Sequence, residues 1–291
     1  MNIDRPIFIL GSGRSGTQIF SDLVSLHPDL CWISNVSMRL PLVPFTPLLH
    51  RVLDWGGFGL GQKRKIIDGT KGGIHISPVE PDAVYDRVGF RSDIRLTEVD
   101  YTPELDERFR QVISRHLYWA NKARFLTKET ANNQRYRLIN RIFPDALFIH
   151  LIRDGRAVAS SMEQNNWLPS LSLWWTGDAA INHVSEYEES IQLFGHHWQQ
   201  NVDELQTAAA IVGDRYMEVR YEDLVSDVHG TIDVIAKFAS LRPDRNYSSI
   251  LPRTLPNMND KWRHNLSDRK VALLESTIGS KLRELGYDVA N

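Results

Sequence analysis

Apolar residues fall along this chain in short blocks that alternate between two spacings. Ile7 to Leu10 is a continuous apolar run, the right length for one buried strand. After eight mostly small or polar residues, Ile19, Phe20, Leu23 and Val24 recur on one helical face. His27-Pro28-Asp29 ends that helix, because the residue before a proline resists helical geometry, and Leu30 to Ser34 reads as a second strand. The rhythm returns at Pro103, where Leu105, Phe109, Val112, Ile113 and Leu117 predict a helix. Arg124 to Lys128 predicts a strand, Asn132 to Phe143 a helix, and Leu147 to Ile152 a strand apolar on both faces apart from His150. Helices are expected at about Gly155 to Met162 and, longer and amphipathic, at Ser190 to Val212; Tyr216 to Arg220 is the next strand. Two further helices lie near 230–240 and 268–285, with Gly286 as a stop. Strands alternating with helices predict an α/β fold with a central parallel sheet flanked by helices.

Two stretches break the rhythm. From Asn35 to Pro103, Pro41, Pro44 and Pro47 are followed by Gly56, Gly57, Gly59, Gly61 and the short basic run Lys63-Arg64-Lys65, read as a solvated turn. A structureless loop of that length is improbable in a compact domain, so short helices and turns are expected there, forming a substrate wall. The second stretch, 164–189, holds Trp167, Trp174 and Trp175 among Gly, Ser and Pro; with Trp55 these offer flat faces for a sugar ring or an apolar acceptor, or simply packing.

At 291 residues the α/β pattern suits one domain, 1–291. A net charge of −2 argues against a nucleic-acid coat protein, while leaving room for a local basic cleft. The single cysteine, Cys31, allows neither an intrachain disulfide nor a multi-cysteine metal site. No run of about 18 apolar residues marks a transmembrane span, and the first residues lack a signal-peptide layout, so a reducing, cytoplasmic location is expected. His196-His197 beside Trp198 has no further His or Cys at ligand spacing and reads as packing.

The chemistry concentrates at strand ends. Gly11-Ser12-Gly13-Arg14-Ser15-Gly16-Thr17-Gln18 joins the first strand to the first helix, a layout that aims backbone N–H groups and a helix dipole at an anion. Gly11 and Gly16 keep the frame of a triphosphate-binding loop, but Thr17 and Gln18 stand where Lys and a metal-holding hydroxyl belong, and the cation has moved to Arg14. Ile149 to Ser161 repeats the logic: a buried strand ends in Arg153, turns at Asp154-Gly155 and enters a helix that carries Ser161. An arginine there can make paired, charge-assisted bonds to phosphate, or a salt bridge with Asp154 or Glu163.

The first loop resembles the phosphosulfate-binding loop of the sulfotransferases that use 3′-phosphoadenosine 5′-phosphosulfate (PAPS), through Gly11, Arg14, Ser15, Gly16 and Thr17. Arg153 and Ser161, eight residues apart, resemble that family's 3′-phosphate signature, and Arg156, Val158 and Ser160 fit its Arg-Asp-x-Arg-x-Val-x-Ser-Ser form. Tyr221-Glu222-Asp223-Leu224 looks like the segment whose Tyr contacts the adenine, and Arg253 with Lys261-Trp262-Arg263 is similar to the late basic loop over the 3′-phosphate; which of those cations acts is open. The likeness spans 6 to about 285 and is nearest to the broad bacterial-type branch, since Ile19 and Phe20 occupy the place of the cytosolic branch's Trp.

The resemblance implies a three-layer, P-loop-like fold and sulfuryl transfer from PAPS, as co-substrate, to a hydroxyl or amine, leaving 3′-phosphoadenosine 5′-phosphate (PAP), with no metal required. Implied cofactor-binding residues are Gly11, Gly13, Arg14, Ser15, Gly16, Thr17, Gln18, Arg153, Ser161, Tyr221, Trp262 and Arg263. Arg14 and the backbone N–H groups of Ser15, Gly16 and Thr17 would stabilise charge on the leaving phosphate, and Lys128 matches the family lysine that touches the sulfuryl group. The family's usual bases are missing: Ser34-Asn35-Val36-Ser37 holds no carboxylate after the second strand, and Lys128-Glu129-Thr130 holds no His. Glu129, Glu80 and His75 stand as candidates. The acceptor is a small molecule, sugar or lipid. Two rival readings are a P-loop kinase or other phosphotransferase, which predicts Mg²⁺ dependence, and a non-catalytic nucleotide-binding protein.

Overall fold

The computed structural model describes residues 3–54, 63, 66, 76–91 and 94–289. Its centre is a five-stranded parallel sheet formed by β1 (Ile7–Leu10), β2 (Leu30–Cys31), β3 (Arg124–Lys128), β4 (Leu147–Ile152) and β5 (Tyr216–Arg220), in the order β2-β3-β1-β4-β5. Register sets Ile9 beside Lys128 on one side of β1 and Leu10 beside His150 on the other. The chain therefore crosses from β3 over β1 to β4, and the carboxyl ends of these strands open on one crevice, the usual ligand position of such sheets.

Alternation along β1 decides what covers each face. Phe8 and Leu10 pack under α2 (Pro103–Ala120) and α3 (Tyr136–Ile142), through Phe109, Ile113, Leu117 and Ile139. Ile7 and Ile9 face α1 (Thr17–Ser25), through Phe20, Leu23 and Val24. A third apolar cluster joins α4 (Gly155–Gln164), α5 (Ser190–Val212) and α8 (Asp268–Glu284), with Val158, Trp198 and Ile278 fully buried. Between them, α6 (Tyr221–Ser226) and α7 (Val228–Phe238) follow β5. This is the three-layer α/β, P-loop-like architecture expected from the pattern.

Two expected elements differ. The second strand pairs only at Leu30–Cys31, because Ser34 turns to cap the helix Asn35–Arg39, its side chain accepting from the Ser37 N–H at 3.1 Å. The helix expected from Asn132 begins in α form only at Tyr136, after a 3₁₀ stretch Thr130–Gln134. Asn133 in that stretch is occupied elsewhere. Its Oδ1 accepts from Gly11 N at 3.0 Å, and its Nδ2 donates to Gly11 O at 3.0 Å and to Asn201 Oδ1 at 2.9 Å. A side chain that pairs with both backbone groups of Gly11 holds the start of the anion loop as a neighbouring strand would. Short helices do occur in the described parts of the first insert, at Asn35–Arg39 and Asp82–Asp86. His75, Trp55 and Arg64-Lys65 lie outside the described residues.

Candidate active site

The loop after β1 enters α1 through two left-handed residues, Arg14 at φ 68° and Gly16 at φ 91°. Gly16 has a second constraint: a Cβ there would lie 2.7 Å from the Tyr221 ring. Ser15 N–H donates to Ser12 O at 3.1 Å, so this amide is spent inside the turn. That corrects its expected role as an anion donor; the buried Ser15 shapes the loop. The first-turn amides of α1, from Thr17 onward, have no partner four residues back within the helix; they lie at the positive end of the helix dipole, and Gly16, Thr17 and Gln18 line the crevice.

A cavity of about 790 Å³ opens in front of this loop. Gly13, Arg14, Gly16, Thr17, Gln18 and Ile19 form its floor. On the β4 side stand Arg153, Ser160, Ser161 and Trp167, and beyond them Tyr221, Met258, Lys261 and Trp262. On the β3 side stand Asp22, Glu80, Lys128 and Thr130.

The two anion-binding stretches meet at the β4 side. Arg14 Nε donates to Ser161 Oγ at 3.0 Å, and its guanidinium lies 5.8 Å from the centre of the Trp167 ring. Arg153 Nη1 donates to Arg14 O at 3.0 Å, Nε to Asn259 Oδ1 at 3.1 Å and Nη2 to Met258 O at 2.6 Å. The Arg153 guanidinium sits 4.4 Å over the Tyr221 ring. Every one of these acceptors is neutral, so among the described residues this mostly buried cation has no carboxylate in direct contact. Burial, the largest influence, shifts the guanidinium downward, against the opposing pull of Tyr221, Glu222 and Asp154. The salt bridge to Asp154 weighed from the sequence is instead made by Arg156, which also pairs with Glu275 at 2.7 Å and stacks over Trp262 at 4.5 Å. Arg156 is therefore committed to the interior. Glu222 ties the late loop to this corner, accepting from Asp154 N at 3.2 Å and from Asn259 Nδ2 at 2.9 Å.

On the β3 side, Lys128 Nζ bonds Glu80 Oε1 at 2.7 Å. Glu129 is buried, accepts from Ala131 N at 3.1 Å and does not line the cavity. Its carboxylate and those of Glu80 and Asp82 crowd within 4.8 Å of one another. Burial first, then the charges of Glu80 and Asp82, push Glu129 up to about 8, so it holds a proton at neutral pH. A carboxyl buried away from the cavity is poorly placed to take a proton from an acceptor that enters it.

Of the residues singled out from the sequence, the cavity gathers Gly13, Arg14, Gly16, Thr17, Gln18, Glu80, Lys128, Arg153, Ser161, Tyr221 and Trp262. Gly11, Ser15 and Arg263 do not line the cavity; Arg263 stacks on Trp262 at 4.5 Å and lies 3.6 Å from Asp260. Among the late cations Lys261, not Arg253 or Arg263, lines the cavity. Trp167 reaches it too, whereas Trp174 lies under Arg95 and Trp175 packs on His196 and His197. The residue that sequence reasoning passed over is Asp22. Its position four after Gln18, on the polar side of an otherwise apolar helix, was the available signal.

Fold and crevice together define a P-loop-like α/β protein with two arginines, Arg14 and Arg153, lining one cleft. The sequence profile of the sulfotransferase family matches residues 6–245, and the chain belongs to that family. Among solved structures, the sulfotransferase STF9 from Mycobacterium avium is 16% identical, with 99% of this chain and 79% of that one covered at a TM-score of 0.60. The sulfotransferase domain from the curacin biosynthetic pathway is 16% identical, with 100% of each chain covered at a TM-score of 0.58. The sulfotransferase domain of the Synechococcus PCC 7002 olefin synthase is 19% identical, covering 99% and 97% at a TM-score of 0.53. These likenesses bear on the fold. No curated protein matches the sequence. Among the described residues, no helix is long and apolar enough to cross a membrane.

Proposed function

We propose that this sulfotransferase uses PAPS and moves its sulfuryl group to a hydroxyl or amine of a small-molecule, sugar or lipid acceptor. The observation that carries this reading is the hydrogen bond between Arg14 and Ser161, which brings the loop after β1 and the flank of α4 to one corner of the cavity. A nucleotide with anionic groups on both its 5′ and 3′ positions matches two anion sites in one cleft. In this reading the 5′-phosphosulfate lies on the amides of Gly16, Thr17 and Gln18 beside Arg14, and the 3′-phosphate between Arg153, Ser161 and Lys261. Tyr221 and Trp167 present ring faces to the rest of the nucleotide. The acceptor then enters from the β3 side, past Lys128 and Thr130. Lys128 and Arg14 are placed to offset charge on the sulfuryl oxygens and the leaving phosphate, the work a metal does in phosphotransferases.

The direct test is release of PAP from radiolabelled PAPS, with and without EDTA. Release that persists in EDTA supports the reading. Phosphoryl transfer from ATP that requires Mg²⁺, with no PAPS turnover, would replace it with the kinase reading.

A further inference from the structure

The reaction needs a group to take the acceptor's proton, and the residues at the family's usual positions do not supply one. Thr130 lines the cavity two residues after Lys128, where the cytosolic branch carries His, and Glu129 is walled off. Two carboxylates line the described cavity, Glu80 and Asp22. Glu80 is held by Lys128 at 2.7 Å, so protonating it would break an ion pair.

Asp22 is different. It lies four residues beyond Gln18 on α1, about 6 Å further along the helix axis, on the side away from the buried Phe20, Leu23 and Val24. Gln18 Nε2 donates to Asp22 Oδ1 at 2.8 Å, which orients the carboxylate with a neutral partner; among the described residues the other oxygen has no hydrogen-bond partner. Lys128 from β3 acts on it through space, Glu80 shares its wall, and Arg14 lies at the base of the same helix. The carboxylate thus stands on the acceptor side of the floor, across the loop from Arg153 and Ser161.

We propose that Asp22 is the general base of the transfer; this rests on the sulfotransferase reading above. The oxygen that Gln18 does not hold takes the proton of the acceptor hydroxyl. The acceptor oxygen forms its bond to sulfur as the bond from sulfur to the 5′-phosphate oxygen breaks, and that electron pair stays on PAP. Burial pushes Asp22 up to about 7, against the pull of Gln18 and Lys128, which places its proton affinity where a base works best at neutral pH. Such a base suits an acceptor that still carries its proton at that pH, so the assignment points to an alcohol rather than an acidic phenol.

The test compares wild type with Asp22→Asn on radiolabelled PAPS at about pH 8, with water, ethanol and p-nitrophenol as acceptors. Transfer to water and ethanol should fall on the order of 100-fold, and transfer to p-nitrophenol, already ionised, by less than about threefold. The melting shift given by PAP should be kept, which separates loss of the base from loss of the nucleotide site. Equal losses for all three acceptors, no loss, or a wild type that binds PAP and transfers to none of them would overturn the assignment. A wild type that neither binds PAP nor turns over PAPS would instead overturn the sulfotransferase reading. Asp22→Ser carries the same comparison if Asp22→Asn does not melt cooperatively.

Discussion

Arg14 and Ser161 stand 147 residues apart in the chain and are joined by one hydrogen bond of 3.0 Å. The bond ties the strand-to-helix turn after β1 to the flank of the helix after β4, at the corner where Arg14 and Arg153 meet. Because Arg14 also sits at φ 68°, its backbone carries strain of about 1 kcal/mol that the loop must offset. A strained cation aimed into a cleft is expected to act on charge that develops there. Arg14→Ala should therefore lower turnover on the order of 100-fold while weakening PAP binding much less. Steady-state kinetics beside calorimetric titration with PAP check this; equal losses in both would make Arg14 an ordinary binding residue.

Among the described residues, Arg153 has three neutral protein acceptors and no carboxylate in direct contact. Replacing it by Ala should cost PAP about 1.5–3 kcal/mol of binding, the range for a hydrogen bond to a charged group, and cost AMP, which lacks the 3′-phosphate, much less. The readout is the ratio of the two dissociation constants. An unchanged ratio would move the 3′-phosphate away from Arg153.

Gly16 combines a left-handed backbone with a Tyr221 ring 2.7 Å from where a Cβ would sit. Gly16→Ala should destabilise the protein by about 1–3 kcal/mol, read from the midpoint and slope of urea unfolding. A variant as stable as wild type would mean the turn is not built as described.

Glu129 makes stability pH-dependent in a defined direction. Its folded-state carboxyl is pushed up from 4.5 to about 8, so the folded state holds a proton that the unfolded state has given up. Stability from this group is complete below about pH 4.5 and is lost as pH rises through about 8. Asp22, raised to about 7, adds a slope of the same sign. Glu129→Gln should flatten the fall in unfolding free energy between about pH 4.5 and about pH 8. A variant with the wild-type slope would place the retained proton elsewhere.

Much of this site was legible because its parts are local. Ile7 to Leu10, the turn through Gly16 and the apolar positions of α1 are contiguous, and β4 with Arg153 repeats the same motif. Both end at the same sheet edge once the strands are parallel, and the pairing of β1 with β4 brings Arg14 and Ser161 near. What escaped was tertiary. Asn133 reads as one more helical residue until its side chain is seen pairing with both backbone groups of Gly11. The sequence cannot say that Arg156, rather than Arg153, takes Asp154, because that choice depends on Glu275 and Trp262, more than a hundred residues away. Glu129 looked available as a base for the same reason. Its burial and its crowding by Glu80 and Asp82 come from the insert folding back over β3. Asp22 was hidden among the residues of a helix read only for its apolar face.

We propose that one cleft holds a nucleotide by both its 5′ and 3′ anionic groups. The most direct measurement is the melting temperature with PAP, ADP and ATP–Mg²⁺, each with and without EDTA. A ligand that binds the folded state raises that temperature by mass action. The account predicts a shift with PAP that exceeds the shift with ADP and is unchanged by EDTA. No shift with PAP, together with an EDTA-sensitive shift with ATP–Mg²⁺, would contradict it.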